Sequence, residues 1–208
     1  MKAVIFDLDG TVFDSMPLWS RLAVDMLESH NIEFPENILE ILTPMGLSQG
    51  ADYVLSLGLP LSKEEILKSE IEYAAEHYAK TIPAKPGAVE YMQKLEKRGI
   101  KMFSFTAGMP ELFMPCAQRL GITGYIKEFY TADMFALPKS DPKAWGILAE
   151  KIGENPEEIT VFDDNLENLT AAKEAGMRVI GVYDLSAKHN SEQIRRLAHG
   201  YISDFTEL

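Results

Sequence analysis

Apolar positions along the chain fall into two kinds of stretch. Ala3-Val4-Ile5-Phe6 is a short unbroken apolar run, the pattern of a strand buried on both faces of a parallel sheet. Ile100 to Phe105, Glu158 to Phe162 and Arg178 to Val182 read as further strands, with a shorter one around Tyr125 to Tyr130. Between them, apolar residues recur at helical spacing over 87–98, 111–120, 143–152, 166–175 and, last, 191–199. Gly99 and Gly176 stand where two of these helices should end. Strand and helix in alternation imply an α/β fold, a doubly wound parallel sheet with right-handed crossovers.

One block breaks the alternation. Met16 to His30 places Leu18, Leu22, Met26 and Leu27 at helical spacing, with Pro17 in a first-turn position. Helices over 36–42, 47–57 and 62–80 follow, the last opened by the capping-box pattern Ser62-Lys-Glu-Glu65. Four helices with no strand between them read as a small inserted all-helical lid. The expected division is a core of residues 1–15 and 82–208 and a lid of 16–81, hinged near Asp14 to Pro17 and Thr81 to Pro86.

Composition narrows the partners. The 208 residues carry a formal net charge of −12, which argues against nucleic acid or an anionic membrane, since both are bound by clustered Lys and Arg. An anionic substrate would need local positive charge from a bound cation and one or two lysines. The single cysteine, Cys116, has no partner for an internal disulfide and is expected to be a packing thiol. The N-terminal stretch reads as a core strand rather than a signal peptide, and no apolar run reaches the ~20 residues of a membrane span. A cytoplasmic protein, monomeric or weakly dimeric, is the expectation.

Polar groups collect where the strands stop: Asp7 and Asp9 after the first, Thr106 after the second, Lys139 in Pro138-Lys-Ser-Asp-Pro142, and Asp163 and Asp164 after Glu158 to Phe162. Taken singly, each has a plain structural use: Thr106 as a turn cap, Lys139 as a solvated loop lysine, the Asp163-Asp164 pair as a helix N-cap. In a parallel sheet all four places converge on the crevice outside the carboxyl ends of the strands. Carboxylates, a hydroxyl and one lysine suit phosphoryl transfer, in which cations let a carboxylate approach a phosphate dianion. Mg²⁺ takes oxygen ligands and needs only one or two protein carboxylates, for which Asp7 and Asp164 are the candidates.

The stretch Asp7-Leu-Asp-Gly-Thr-Val-Phe-Asp-Ser15 resembles the nucleophile motif of the haloacid dehalogenase superfamily, in its phosphatase branch with a helical cap. Thr106, Lys139 and Val161-Phe-Asp-Asp-Asn165 match that superfamily's later motifs in order, so the resemblance covers essentially the whole chain. It implies a Rossmann-like core, a helical cap, and Mg²⁺-dependent hydrolysis of a small, sugar-phosphate-like ester through an aspartyl-phosphate. By resemblance Asp7 is the nucleophile, while Asp9 lends its backbone carbonyl to the metal and its side chain as general acid and base. The Leu8 and Ala107 N–H groups, the Thr106 hydroxyl and Lys139 would bind phosphoryl oxygens. Asp7, Asp9 and Asp164 would hold the metal, with Asp163 behind them; Asn168 reads either as a further support there or as a surface helix residue.

The second acid, Asp9, argues against a dehalogenase, which has no alkoxide to protonate. A mutase of the β-phosphoglucomutase type remains the alternative, although the loop Thr43 to Gly50 carries no Lys or Arg, with Gln49 where one would be sought. Met16, Trp19 and Met45 are candidates either to line a partly apolar pocket or to pack the lid helices. A response-regulator domain shares the residue types but has its acid pair first and its lysine last; a catalytically inert phospho-ligand binding module is the remaining alternative. His30, His77, His189 and His199 show no metal-ligand spacing.

Overall fold

A computed structural model of the chain describes residues 1–42, 45 and 47–208, with backbone only at 20 and 40. Thr43, Pro44 and Gly46 of the loop without basic residues therefore lie outside the described residues.

The strands are β1 (Ala3–Phe6), β2 (Lys101–Thr106), β3 (Phe129–Thr131), β4 (Ile159–Asp163), β5 (Arg178–Val182) and β6 (Gly200–Ile202). They form one six-stranded sheet in the order β3-β2-β1-β4-β5-β6, every neighbouring pair parallel. Strand order reverses between β1 and β4, the place where a crevice opens in a doubly wound sheet. Phe6 pairs with Phe162 across that junction. The next residue along each strand is an aspartate, so the register alone sets Asp7 beside Asp163.

Successive residues of β1 point to opposite faces, and each face has its own apolar layer. Val4 and Phe6 pack with Phe162 and with Tyr91, Met92, Leu112 and Phe113, which lie on α5 (Ala88–Lys97) and α6 (Pro110–Arg119). Ala3 and Ile5 pack on the other side with Val161 and with Trp145, Leu148 and Leu169, from α7 (Pro142–Ile152) and α8 (Leu166–Glu174). Burial on both sides is why β1 and β4 contain almost no polar residue until their last positions.

The inserted helices are α1 (Met16–Ser29), α2 (Ile38–Leu42), α3 (Leu47–Ser56) and α4 (Lys63–Lys80), the last with the capping box formed between Ser62 and Glu65. They enclose a third apolar cluster that includes Val24, Leu27, Ile38, Val54 and Ile66. Leu22, Ala74 and Tyr78 instead join the layer under the sheet, so one end of this helical group sits on the core. The two strands of chain that enter and leave it run side by side. Phe13 bridges Ala84, Asp14 N–H donates to Pro83 O at 3.0 Å, and Lys85 N–H to Val12 O at 2.8 Å. Lys85 is buried, with its ammonium donating to Asp184 Oδ2 and Tyr183 O, both at 2.7 Å. That pairing ties the second linker to the end of β5.

Three details differ from the sequence expectation. The strand expected around 125–130 begins later, at Phe129, after a single helical turn over Ile122–Gly124. The last helix, α9 (Ser191–Leu197), stops short of His199, and the chain turns at once into β6, which the apolar pattern did not announce. Three residues beginning with glycine carry no periodicity, and β6 exists through its pairing with β5. Among the described residues no helix is long and apolar enough to cross a membrane. Cys116 is buried, and burial pushes its thiol up to about 11, which suits a packing role.

Candidate active site

The strand ends bring Asp7, Asp163, Asp164, Lys139 and Thr106 together at the reversal point, all of them buried. The Lys139 ammonium donates to Asp7 Oδ1 in a short contact and to Asp163 Oδ2 at 2.8 Å. Lys139 is held from behind as well: the Trp145 indole N–H donates to its carbonyl at 2.6 Å, and its ammonium lies 5.7 Å from the Phe105 ring centre. Burial alone would lower this ammonium's pKa; the Asp163 and Asp7 carboxylates outweigh it and hold the group charged.

Carboxylate oxygens of Asp7, Asp163 and Asp164 lie within 4.8 Å of one another. Burial pushes Asp7 up to about 7, opposed by Lys139 and reinforced by the Asp163 charge. Burial, and then the charges of Asp7 and Asp163, raise Asp164 well above the usual carboxylate range. The Thr11 hydroxyl donates to Asp164 Oδ1 at 2.9 Å. Asp163 is the most engaged of the three, receiving the Asn165 backbone N–H at 2.9 Å and the Asn168 amide at 3.2 and 3.3 Å. The half-buried Asn168 thus turns its amide onto Asp163 rather than into solvent.

Three close carboxylates with one ammonium beside two of them carry net negative charge when ionised, which a bound cation would offset. All-oxygen donors of this kind fit a hard divalent cation such as Mg²⁺, and poorly suit a soft one. The backbone closes tightly around the cluster. Gly10 has φ +81°, and a Cβ built on it would stand 2.6 Å from Asp164 Oδ2, so this turn needs glycine twice over.

Asp9 faces another way. Its Oδ1 accepts the Ser15 hydroxyl at 2.7 Å and, in a shorter bond, the Tyr78 hydroxyl; the Trp19 indole N–H donates to the Tyr78 oxygen at 2.9 Å. Burial raises the Asp9 carboxyl, with the Tyr78 and Ser15 bonds pulling it back. A Cβ on Gly108 would meet Asp9 Oδ2 at 3.0 Å and Thr106 Oγ1 at 3.2 Å, so these two oxygens flank one glycine. Thr106 Oγ1 also accepts the Gly108 N–H at 2.9 Å.

A cavity of about 260 Å³ opens beside Asp9, lined by Met16, Trp19, Leu47, Tyr78, Met109 and Phe113 among others. Exposed Ala107 is part of its lining, while Leu8 is buried in the apolar layer and does not reach it. Of the lid candidates, Met16 and Trp19 reach the cavity. Met45 packs with the helical cluster instead, and Gln49 is exposed and does not line it. Tyr78, Ser15 and Thr11 escaped the sequence reading. Ser15 and Thr11 lie inside the motif that was read for its acids. Tyr78 sits 69 residues from its partner, and the one available signal was an aromatic residue in the last turn before a linker.

Against known proteins, the model of the haloacid dehalogenase-like hydrolases matches residues 1–176. Hexitol phosphatase A of Escherichia coli is 31% identical over 193 residues, covering 87% of this chain and 82% of that protein. A phosphorylated carbohydrates phosphatase of Thermotoga maritima is 26% identical over 184 residues, 88% of this chain and 85% of its own length. Among solved structures, CbbY of Rhodobacter sphaeroides in complex with phosphate superposes with a TM-score of 0.79 at 21% identity, covering 100% of this chain and 96% of that one.

Proposed function

Because the chain belongs to the haloacid dehalogenase-like hydrolases, we propose that it is a Mg²⁺-dependent phosphatase of a small, sugar-phosphate-like monoester, working through an aspartyl-phosphate on Asp7. The observation that carries this reading is the Lys139 ammonium bonded to both Asp7 and Asp163, with Asp164 at the same cluster. A lone buried carboxylate would protonate at neutral pH; one beside a fixed ammonium and a dication stays ionised and able to attack. The named activities of the two phosphatase relatives support the reaction class and a carbohydrate-like ester.

Asp7, Asp164 and the backbone carbonyl of Asp9 would hold Mg²⁺, whose charge would offset that of the phosphoryl group. Lys139, the Thr106 hydroxyl and the backbone N–H groups of Leu8 and Ala107 would grip the phosphoryl oxygens. An Asp7 oxygen attacks phosphorus as the ester P–O bond breaks, and the departing alkoxide takes its proton from Asp9. A water then gives a proton to Asp9 and attacks the same phosphorus, releasing inorganic phosphate and restoring the Asp7 carboxylate. Asp163, fixed by Asn168 and Asn165, would orient Lys139 and metal-bound water. Residues 16–81 would act as a cap over a core of 1–15 and 82–208, excluding bulk water during transfer. Among the described residues no Lys or Arg lines the cavity beside Asp9, which favours hydrolysis over a mutase that must retain a doubly phosphorylated intermediate.

Phosphate release from a panel of monoesters, with Mg²⁺ and with EDTA, tests the proposal in wild type and Asp7→Asn. Release that requires both the metal and Asp7 is expected; release that survives either loss overturns it.

A further inference from the structure

We propose that Tyr78 is a positioning residue for Asp9, through which the inserted helices control which carboxylate oxygen meets the leaving group; the inference rests on the phosphatase reading above. Asp9 has two oxygens with different surroundings. Oδ1 is held from two sides, by the Ser15 hydroxyl at 2.7 Å and the shorter Tyr78 bond. Oδ2 lies on the side of Gly108 and Thr106, where the ester must sit if Thr106 binds phosphate. A carboxylate with one oxygen clamped cannot rotate to offer the other, so the proton to be delivered is confined to Oδ2.

The clamp comes from the inserted helices, at the end that sits on the core. Tyr78 lies in the last turn of α4 and Trp19 in the first turn of α1, and both line the cavity beside Asp9. The indole N–H donates to the Tyr78 oxygen, polarising the phenol so that its own O–H is a better donor. Tyr78 is 1% exposed, and its ring meets Phe13 edge-on at 6.4 Å between centres and Trp19 at 6.0 Å. The hydroxyl is therefore carried on a ring with no freedom to swing away. A displacement of α1 and α4 from the core would take the clamp with it and free Asp9 to turn.

The test compares two esters in one preparation of Tyr78→Phe. An alkyl phosphate needs the Asp9 proton to expel its alkoxide; 4-nitrophenyl phosphate releases a stabilised phenolate and needs none. Because kcat/KM reports on the steps through P–O cleavage, it should fall at least tenfold for the alkyl ester and threefold or less for the nitrophenyl ester. The ratio of the two is independent of the fraction of protein that is folded, so an unstable variant still gives an answer. Trp19→Phe, which removes the indole N–H together with part of the ring that packs on Tyr78, should shift that ratio the same way by a smaller factor. An equal loss on both esters would show Tyr78 to be structural, and no loss on either would show the bond to be idle; both overturn the proposal. If wild type hydrolyses neither ester, it is the phosphatase reading that has failed.

Discussion

Adding one methyl group at Gly10 separates the metal-site claim from the rest of the account. Gly10→Ala meets two penalties. At φ +81° an L-residue pays about 1–2 kcal/mol of backbone strain. The new Cβ would also lie 2.6, 2.8 and 3.0 Å from three atoms of the Asp164 carboxylate, so the carboxylate or the loop must retreat by roughly 0.9 Å to bring the nearest atom to ordinary contact at ~3.5 Å. Asp164 is buried and anchored by Thr11, so the retreat also strains that hydrogen bond, worth about 1 kcal/mol. Total destabilisation of about 2–4 kcal/mol is expected from chemical denaturation of the metal-free protein. Mg²⁺ demands near-octahedral geometry at ~2.1 Å, and a displaced ligand of that size should cost at least one more factor of ten in affinity, about 1.4 kcal/mol. Calorimetric titration of folded Gly10→Ala with Mg²⁺ reads this directly. A variant that is destabilised as stated yet binds Mg²⁺ as tightly as wild type would refute Asp164 as a ligand. A variant as stable as wild type would refute the packing argument itself.

Other consequences are more local. Lys139→Met leaves Asp7 and Asp163 buried without their cation, which should cost about 3–5 kcal/mol by denaturant titration and lower kcat by at least ~10²-fold; wild-type turnover would exclude Lys139 from the site. Glu70 on α4 is 3% exposed with Oε2 unbonded, and burial pushes its carboxyl up to about 7 from 4.5. A raised carboxyl makes the native state bind its proton more tightly, so its stabilising contribution is complete below 4.5 and is lost as pH rises through about 7. Glu70→Gln should therefore melt like wild type near pH 4 and be up to about 3 kcal/mol more stable near pH 8; an equal difference at both values contradicts this. The same sign holds at Asp7: without metal, stability should decline as pH climbs towards about 7, and Mg²⁺ at one fixed concentration, a hundredfold its dissociation constant at pH 8, should restore about 2.7 kcal/mol at pH 8 and less at pH 5. Melting curves with no Mg²⁺-dependent shift would count against the site.

What was legible from sequence follows a physical line. β1 and β4 are flanked by helices on both faces, so their apolar runs are continuous and their first acids stand out, and Asp7 beside Asp163 follows once Phe6 is paired with Phe162. Lys139 was found by its place in a motif, though nothing local distinguishes it from a solvated lysine; its burial comes from Trp145 and Phe105, which reach it only in the folded sheet. β6 was missed because an edge strand of three residues draws its stability from β5 rather than from its own pattern. Tyr78 was missed for a related reason. Its helix was read correctly from periodicity, but which residue of that helix meets Asp9 depends on how α4 sits on the core, and that is set by Leu22, Ala74 and the paired linkers. Met45 shows the converse: a methionine near the expected pocket can belong to the helical cluster, since apolar lining and apolar core share one composition.

The covalent step is the centre of the account, and rapid quenching examines it most directly. Wild type is mixed with a ³²P-labelled monoester and Mg²⁺, stopped in acid within milliseconds, and the protein-bound label is mapped to a peptide. Acid-stable label is expected on the peptide carrying Asp7, formed before inorganic phosphate is released and missing from Asp7→Asn. Phosphate release at full rate with no bound label, or with label on any other residue, would contradict it.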